Sequence, residues 1–465
     1  MLRVKRTMTA LRTVFEDRIR HRRVAVLGLA RSGTAACEML LMHGAQVLAS
    51  DAGEHDELKA TAERLRDLGA WVELGGHSVD ALLSADYLVA SPGLPGRLPV
   101  LAAARQKGVP IFSEIEVASW LCQGDILAVT GTNGKTTTST LLHQMLLEAG
   151  VQAMLAGNVG TPFSAVVSDL GSNPVVLEIS SYQLEYVETF RPTVAALLNI
   201  GPDHLERHGS LDAYAAAKYR IGENMSTGDT LVLNADDPQA RRMPVAPGAR
   251  SFYFSTQQFL PEGVFCEGEN LVYRMAEKQG VLIALSDIRI PGPHNQSNAA
   301  AAAAVALSYG ADPQAIAGAL RSFPGVPHRI EPLGLHRGCR VFNDSKATNV
   351  DAMIMALRSV EPPIVLLVGG RAKGDDPHAA DPLVRERVRQ VIAFGEARAL
   401  FESAWQGLVP VRLADNLREA TRAAFAIAKP GDAVLLSPAC ASFDQFRNFE
   451  QRGELFRTYV DEADD

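Results

Sequence analysis

The chain has 465 residues, of which 47% are hydrophobic and 21% charged, with a formal net charge of −8. This apolar content suits roughly two to four globular domains and excludes a wholly disordered chain. The acidic balance gives no electrostatic case for nucleic-acid binding, although a basic pocket for one phosphorylated ligand can sit inside an acidic protein.

Residues 1–23 are basic but lack the continuous apolar core of a secretory signal. No later stretch is long and charge-free enough to span a bilayer, so no stable membrane insertion is expected. The segment reads as a mobile or helical extension, with a weak membrane-surface role for its Arg-rich face left open. The five cysteines, Cys37, Cys122, Cys266, Cys339 and Cys440, are scattered without paired short spacing. That argues against a zinc or dithiol motif and for a reduced, cytoplasmic protein.

Along 24–113, the runs RVAVLGLA, AQVLASD and DYLVASPG alternate with amphipathic stretches, which predicts βαβ units and a parallel sheet. GLARSG, from Gly28 to Gly33, resembles a dinucleotide fingerprint with Ala30 at the middle glycine, and Asp51 closes the next strand near the separation of a ribose-binding acid. The pattern fits a nucleotide-like ligand about as well as a structural turn.

A second α/β domain is predicted over 114–324. DILAVTGTNGKTTTSTLLHQMLLEAG reads as strand, glycine loop and helix, the arrangement that surrounds phosphate oxygens with backbone N–H groups. Gly131 and Gly134 let the backbone approach, Lys135 supplies a cation and Thr136 a hydroxyl for Mg²⁺. The general phosphate-loop pattern asks for glycine where Val129 stands. Further on, VVLEISSYQLE places Glu178, and NIGPDHLERHG places Asp203 and His204, at ends of apolar strands, where α/β sites gather. AYAAAKYRI sets Lys218 in a helix-forming stretch, and NAAAAAAVALSYG predicts a buried helix ending near Gly310. After the Pro324, Gly325 and Pro327 cluster, RVFNDSKATN, PIVLLVGG, VIAFG and DAVLLSPA predict a third α/β domain over 325–465.

Taken together, GTNGKTTT, LEISSYQLE, DHLERHGSLDAYAAAK, GPHNQSNAAAA, PHRIE, NDSKATN and LSPACASFDQFRNFEQRG resemble the Mur ligase family over nearly the whole chain. The resemblance implies three domains: amino-terminal Rossmann-like and UDP-substrate-binding, central P-loop ATPase-like, and carboxy-terminal Rossmann-like and amino-acid-binding. NDSKATN with SPACASFDQFRNFEQRG looks like the member that adds D-glutamate to UDP-N-acetylmuramoyl-L-alanine with ATP and Mg²⁺, in cytoplasmic peptidoglycan synthesis. A monomer is expected. Another Mur-type ligase and a folylpolyglutamate synthetase are the alternatives.

The resemblance also assigns residues. Gly131, Thr132, Asn133, Gly134, Lys135, Thr136 and Thr137 would hold the ATP phosphates, with His294, Asn295 and Asn298 at the nucleotide and Arg329, Asp344 and Lys346 joining them. Thr136, Glu178, His204 and a carbamylated Lys218 would serve the metal, with Lys135, His204 and Lys218 central to catalysis. Gly28, Ala30, Arg31, Ser32 and Asp51 would meet the uridine part and Asn158 the UDP-sugar. Thr348, Lys373, Ser442 and Phe449 would hold D-glutamate.

Overall fold

The computed structural model describes residues 17–94, 98–158, 160–276, 278–290 and 292–464. Most of the expected basic extension, 1–16, lies outside the described residues. Its last part is neither a helix nor free of the fold. Residues 17–22 form a turn in which Ile19 is fully buried in the adjoining core, and the Arg18 guanidinium lies 5.3 Å from the centre of the Trp120 ring. An apolar side chain among the basic residues is enough to anchor the segment.

The chain divides into two compact units, Met1–Arg289 with His294–Phe323, and Ile290–Pro293 with Pro324–Asp465. In the first unit, β1 (Arg23–Leu27), β2 (Gln46–Asp51), β3 (Trp71–Leu74), β4 (Tyr87–Ala90) and β5 (Ile111–Ser113) form a sheet ordered β3-β2-β1-β4-β5. Every pairing in it is parallel. Val24 to Leu27 are buried, as a strand covered on both faces requires. The order reverses between β1 and β4, so a crevice opens at their carboxyl ends.

The second sheet of this unit contains β6 (Ile126–Thr130), β7 (Met154–Gly157), β8 (Val175–Glu178), β9 (Val194–Leu197), β10 (Thr230–Asn234), β11 (Arg250–Ser255), β12 (Gly263–Glu267), β13 (Asn270–Met275) and β14 (Lys278–Ala284). Its order is β14-β13-β12-β11-β10-β9-β6-β8-β7, parallel from β7 to β12 and antiparallel from β12 to β14. The two sheets are joined by Glu116, whose carboxylate accepts the Glu188, Thr189 and Phe190 N–H groups at 2.9, 2.8 and 2.9 Å and the Trp120 indole at 2.9 Å. The alanine-rich segment forms the helix Pro293–Tyr309, with Ala299 to Ala304 fully buried.

In the second unit, β15 (Glu331–His336), β16 (Cys339–Asn343), β17 (Ile364–Gly369), β18 (Val388–Phe394), β19 (Val411–Ala414) and β20 (Ala433–Leu436) are ordered β15-β16-β20-β17-β18-β19. Only β15 runs antiparallel to its neighbour. The molecule therefore has the expected three α/β domains. The antiparallel strands β12 to β15 are additions to the pattern expected from sequence. Among the described residues no helix is long and apolar enough to cross a membrane.

Candidate active site

The phosphate loop leaves the end of β6 and enters the helix Lys135–Glu148. Gly134, at the helix N-cap, has φ +86°, and a Cβ there would stand 2.2 Å from Asn298 Oδ1. Glycine thus serves both the left-handed turn and the close approach of a neighbouring helix. The loop is clasped from the end of β9. Asn199 accepts the Asn133 N–H at 2.8 Å and donates to its carbonyl at 3.1 Å, while the Asn199 carbonyl accepts the Thr132 N–H at 2.9 Å. Thr136 and Thr137 are buried in the first helical turn.

Lys135 folds back over the loop and donates to the carbonyls of Gly131 and Thr132 at 2.9 and 2.8 Å. The Gly131 carbonyl also takes Lys218 Nζ at 2.8 Å. Both lysines thus meet on one oxygen, and Lys218 is almost wholly buried. Burial, reinforced by the Lys135 charge, pushes the Lys218 amine well below its ordinary range, against the opposite pull of Asp203 and Glu178. The Tyr214 ring centre is 4.6 Å from this amine, and the Tyr214 hydroxyl stands 3.2 Å from Thr132 Oγ1.

Glu178 ends β8. Its Oε1 accepts the Asn158 amide at 3.0 Å, whereas its buried Oε2 has no hydrogen-bond partner. An orphaned carboxylate oxygen is a fitting ligand for a hard cation. His204, at φ +54°, lies with Nε2 3.5 Å from Asp203 Oδ2 and its ring 4.8 Å from that of Tyr182. Among the described residues no three His, Cys, Asp or Glu side chains form a group that could hold a metal alone.

Asn298 begins the buried part of the helix Pro293–Tyr309. Its Oδ1 lies 3.4 Å from Thr138 Oγ1, and its amide donates to Asn295 Oδ1 at 3.2 Å. His294 and Asn295 are half-buried at the same helix start. In the first domain, Asp51 turns inward. It accepts the Leu29 and Gly53 N–H groups at 2.7 and 2.8 Å and so fixes the GLARSG turn. Gly28 has φ +81°, Ser32 is half-buried, and Ala30 caps the helix Arg31–Met42 without a side-chain bond. Arg31 donates to the Gly160 carbonyl at 3.4 Å.

In the second unit, Asp344 follows β16 and is buried. It accepts from Ile330 N at 3.1 Å and Ser437 Oγ at 2.7 Å, and burial pushes its carboxyl up to about 7. Arg329 is half-buried, and its charge acts on the same carboxyl in the opposite direction. Lys346 Nζ lies 5.6 Å from the centre of the Phe449 ring. Lys373 Nζ donates to Thr348 Oγ1 at 3.2 Å, and Ser442 is buried in the loop after β20. Sequence reasoning missed Asn199, Tyr214 and Ser437. Each bonds a partner far along the chain.

The profile of the Mur ligase MurD-like N-terminal domain matches residues 22–113, that of the Mur ligase middle domain 129–306, and that of the Mur ligase glutamate ligase domain 328–440. A protein of Pelotomaculum thermopropionicum named UDP-N-acetylmuramoylalanine–D-glutamate ligase is 41% identical over 442 residues, covering 94% of this chain and 97% of its own. A protein of the same name from Chlorobium luteolum is 44% identical over 457 residues, with the same coverage of 94% and 97%. Among solved structures, the UDP-N-acetylmuramate-alanine ligase of Thermotoga maritima superposes with a TM-score of 0.60 at 19% identity, covering 95% of this chain and 100% of its own.

Proposed function

The chain belongs to the Mur ligase family, and we propose that it is the ATP-dependent, ADP-forming ligase joining D-glutamate to UDP-N-acetylmuramoyl-L-alanine in peptidoglycan precursor synthesis. The observation that carries this reading is identity above 40% to D-glutamate ligases across all three domains. ATP and a UDP-sugar as co-substrates support a cytoplasmic site of action.

A carboxylate cannot expel oxide at neutral pH, so the reaction needs an activated acid. The γ-phosphoryl group of ATP passes to the L-alanyl carboxylate, forming an O–P bond as the bond to the β-phosphate bridge breaks and ADP leaves. The D-glutamate amine then attacks the acyl carbon, and the tetrahedral intermediate expels phosphate and loses the amine proton. Catalysis of this kind is mostly alignment and offset of negative charge. Lys135, held over the loop, faces the transferring group. Arg329, Asp344 and Lys346 are further residues assigned to ATP, and Lys373, with the hydroxyls of Thr348 and Ser442, is assigned to the two carboxylates of D-glutamate.

Thr136, Glu178, His204 and Lys218 would hold Mg²⁺, which supplies further neutralisation of phosphate charge when bound. Lys218 fits that role as a carbamate. A buried amine pushed toward its neutral form is nucleophilic: its nitrogen bonds to CO₂ carbon and releases a proton, leaving an oxygen-bearing anion beside the loop. The deciding experiment is ADP release with UDP-N-acetylmuramoyl-L-alanine and D-glutamate. Dependence on D-glutamate is expected. Release driven instead by L-alanine, a diamino acid or a glutamylated folate would replace the reading with another ligase of this fold.

A further inference from the structure

Glu114 is a buried carboxylate that the reaction as derived does not use. It opens the helix Glu114–Ser119, directly after the last strand of the first sheet, and is 1% exposed. Its Oε1 accepts the Ser164 N–H at 2.6 Å, and its Oε2 is buried without a partner. Burial pushes the carboxyl up, opposed only by hydrogen bonds from Ser164 and Phe163. A buried carboxyl with one unsatisfied oxygen costs folding free energy, so stability alone does not account for it.

The Ser164 bond ties down the turn leading into the short helix Phe163–Val166. At the head of that turn, Asn158 is bonded twice to Glu178, through its own N–H to the Glu178 carbonyl at 2.8 Å and through its amide to Oε1 at 3.0 Å. Two residues on, the Gly160 carbonyl accepts Arg31 from the first domain at 3.4 Å, and the Gly157 N–H donates to the Thr161 carbonyl at 2.9 Å. Residues 160–164 thus meet Arg31, a group assigned to the UDP substrate, at Gly160 and are clamped by Glu114 at Ser164.

We infer that Glu114 is a positioning residue for the UDP-sugar substrate, holding residues 160–164, whose Gly160 carbonyl takes Arg31, through the Ser164 N–H without touching substrate. The inference rests on the assignment of Asn158 and Arg31 to that substrate. The phosphate loop is held independently by Asn199, so nucleotide binding does not depend on Glu114.

The test uses the full chain with Glu114→Gln and Glu114→Met. Glutamine keeps the acceptor without the charge. Methionine fills the volume without an acceptor. Glu114→Met should raise KM for UDP-N-acetylmuramoyl-L-alanine about tenfold, a loss of the size expected for one hydrogen bond. It should leave KM for ATP within about twofold, and Glu114→Gln should restore KM for the UDP-sugar to within about threefold of wild type. An unchanged KM in the methionine variant, equal rises for ATP and UDP-sugar, a glutamine variant as impaired as methionine, or loss of the folded state in Glu114→Met would each overturn the positioning role. If the wild type turned over only with a different UDP-sugar or amino acid, the functional reading would fail, and the same comparison on that substrate would still decide Glu114.

Discussion

Lys218 and Asp344 are charged residue types placed where water cannot solvate them, and each invites a measurement. If Lys218 works as a carbamate, Lys218→Ala should retain its fold but lose most ligase activity, with acetate restoring part of it by occupying the vacated site. Full activity of that variant in CO₂-depleted buffer would remove the carbamate from the mechanism. For Asp344, the folded carboxyl is pushed up to about 7 from an ordinary 3.8. The fold therefore holds a proton that the unfolded chain has already released. That contribution is complete below the ordinary value and is lost as pH rises through about 7. Asp344→Asn, which stays neutral, should gain about 2–3 kcal/mol in relative stability between about pH 5 and about pH 8. Urea unfolding at the two pH values checks it, and a constant difference would mean that the carboxyl titrates normally. The phosphate loop was legible because strand, glycines, lysine and hydroxyl are contiguous. Asn199 was not, since the Asn133 it clasps is 66 positions away.

The helix Pro293–Tyr309 shows how one element sets a site. Its alanine run was expected as a buried helix, and the structure buries it on all sides because side chains that small let neighbours close in. This close packing fixes Asn298 against the phosphate-loop helix. Ala302→Leu should cost about 1–3 kcal/mol through overpacking and should weaken binding of a non-hydrolysable ATP analogue as Asn298 shifts. Denaturant midpoints and a binding titration test both parts, and a stable variant with weakened binding would show that the helix yields locally. Elements escaped sequence reading for different reasons. In β15, Pro332 and Gly334 disguise an edge strand that carries a register shift between them. The hairpin of β12 and β13 was readable in principle, since Glu267 pairs with Asn270 across a Gly268–Glu269 turn.

At the scale of the whole molecule, three sheets were foreseeable from three cycles of strand and helix, but two compact units were not. The join after Ser113 is weakly marked in sequence because the side chains that close it, Glu114 and Glu116, find their partners 50 and about 70 positions onward. The break before Pro324 is of another kind. Residues after it have their own apolar clusters, one containing Met353, Leu366 and Trp405 and another Leu367, Phe394 and Phe456. Most hydrogen bonds of its site loops, such as Ser437 to Asp344 and Lys373 to Thr348, are likewise closed within the unit. A fragment spanning 324–465 should therefore fold alone, since a chain of that length can bury a sufficient core. Calorimetry should give one cooperative transition with an enthalpy of about 100 kcal/mol, from about 0.7 kcal/mol per residue. Lys373→Ala in the fragment should leave that transition nearly unchanged, because its side chain is exposed. A broad, non-cooperative melt would mean that the second unit owes its core to the rest of the chain.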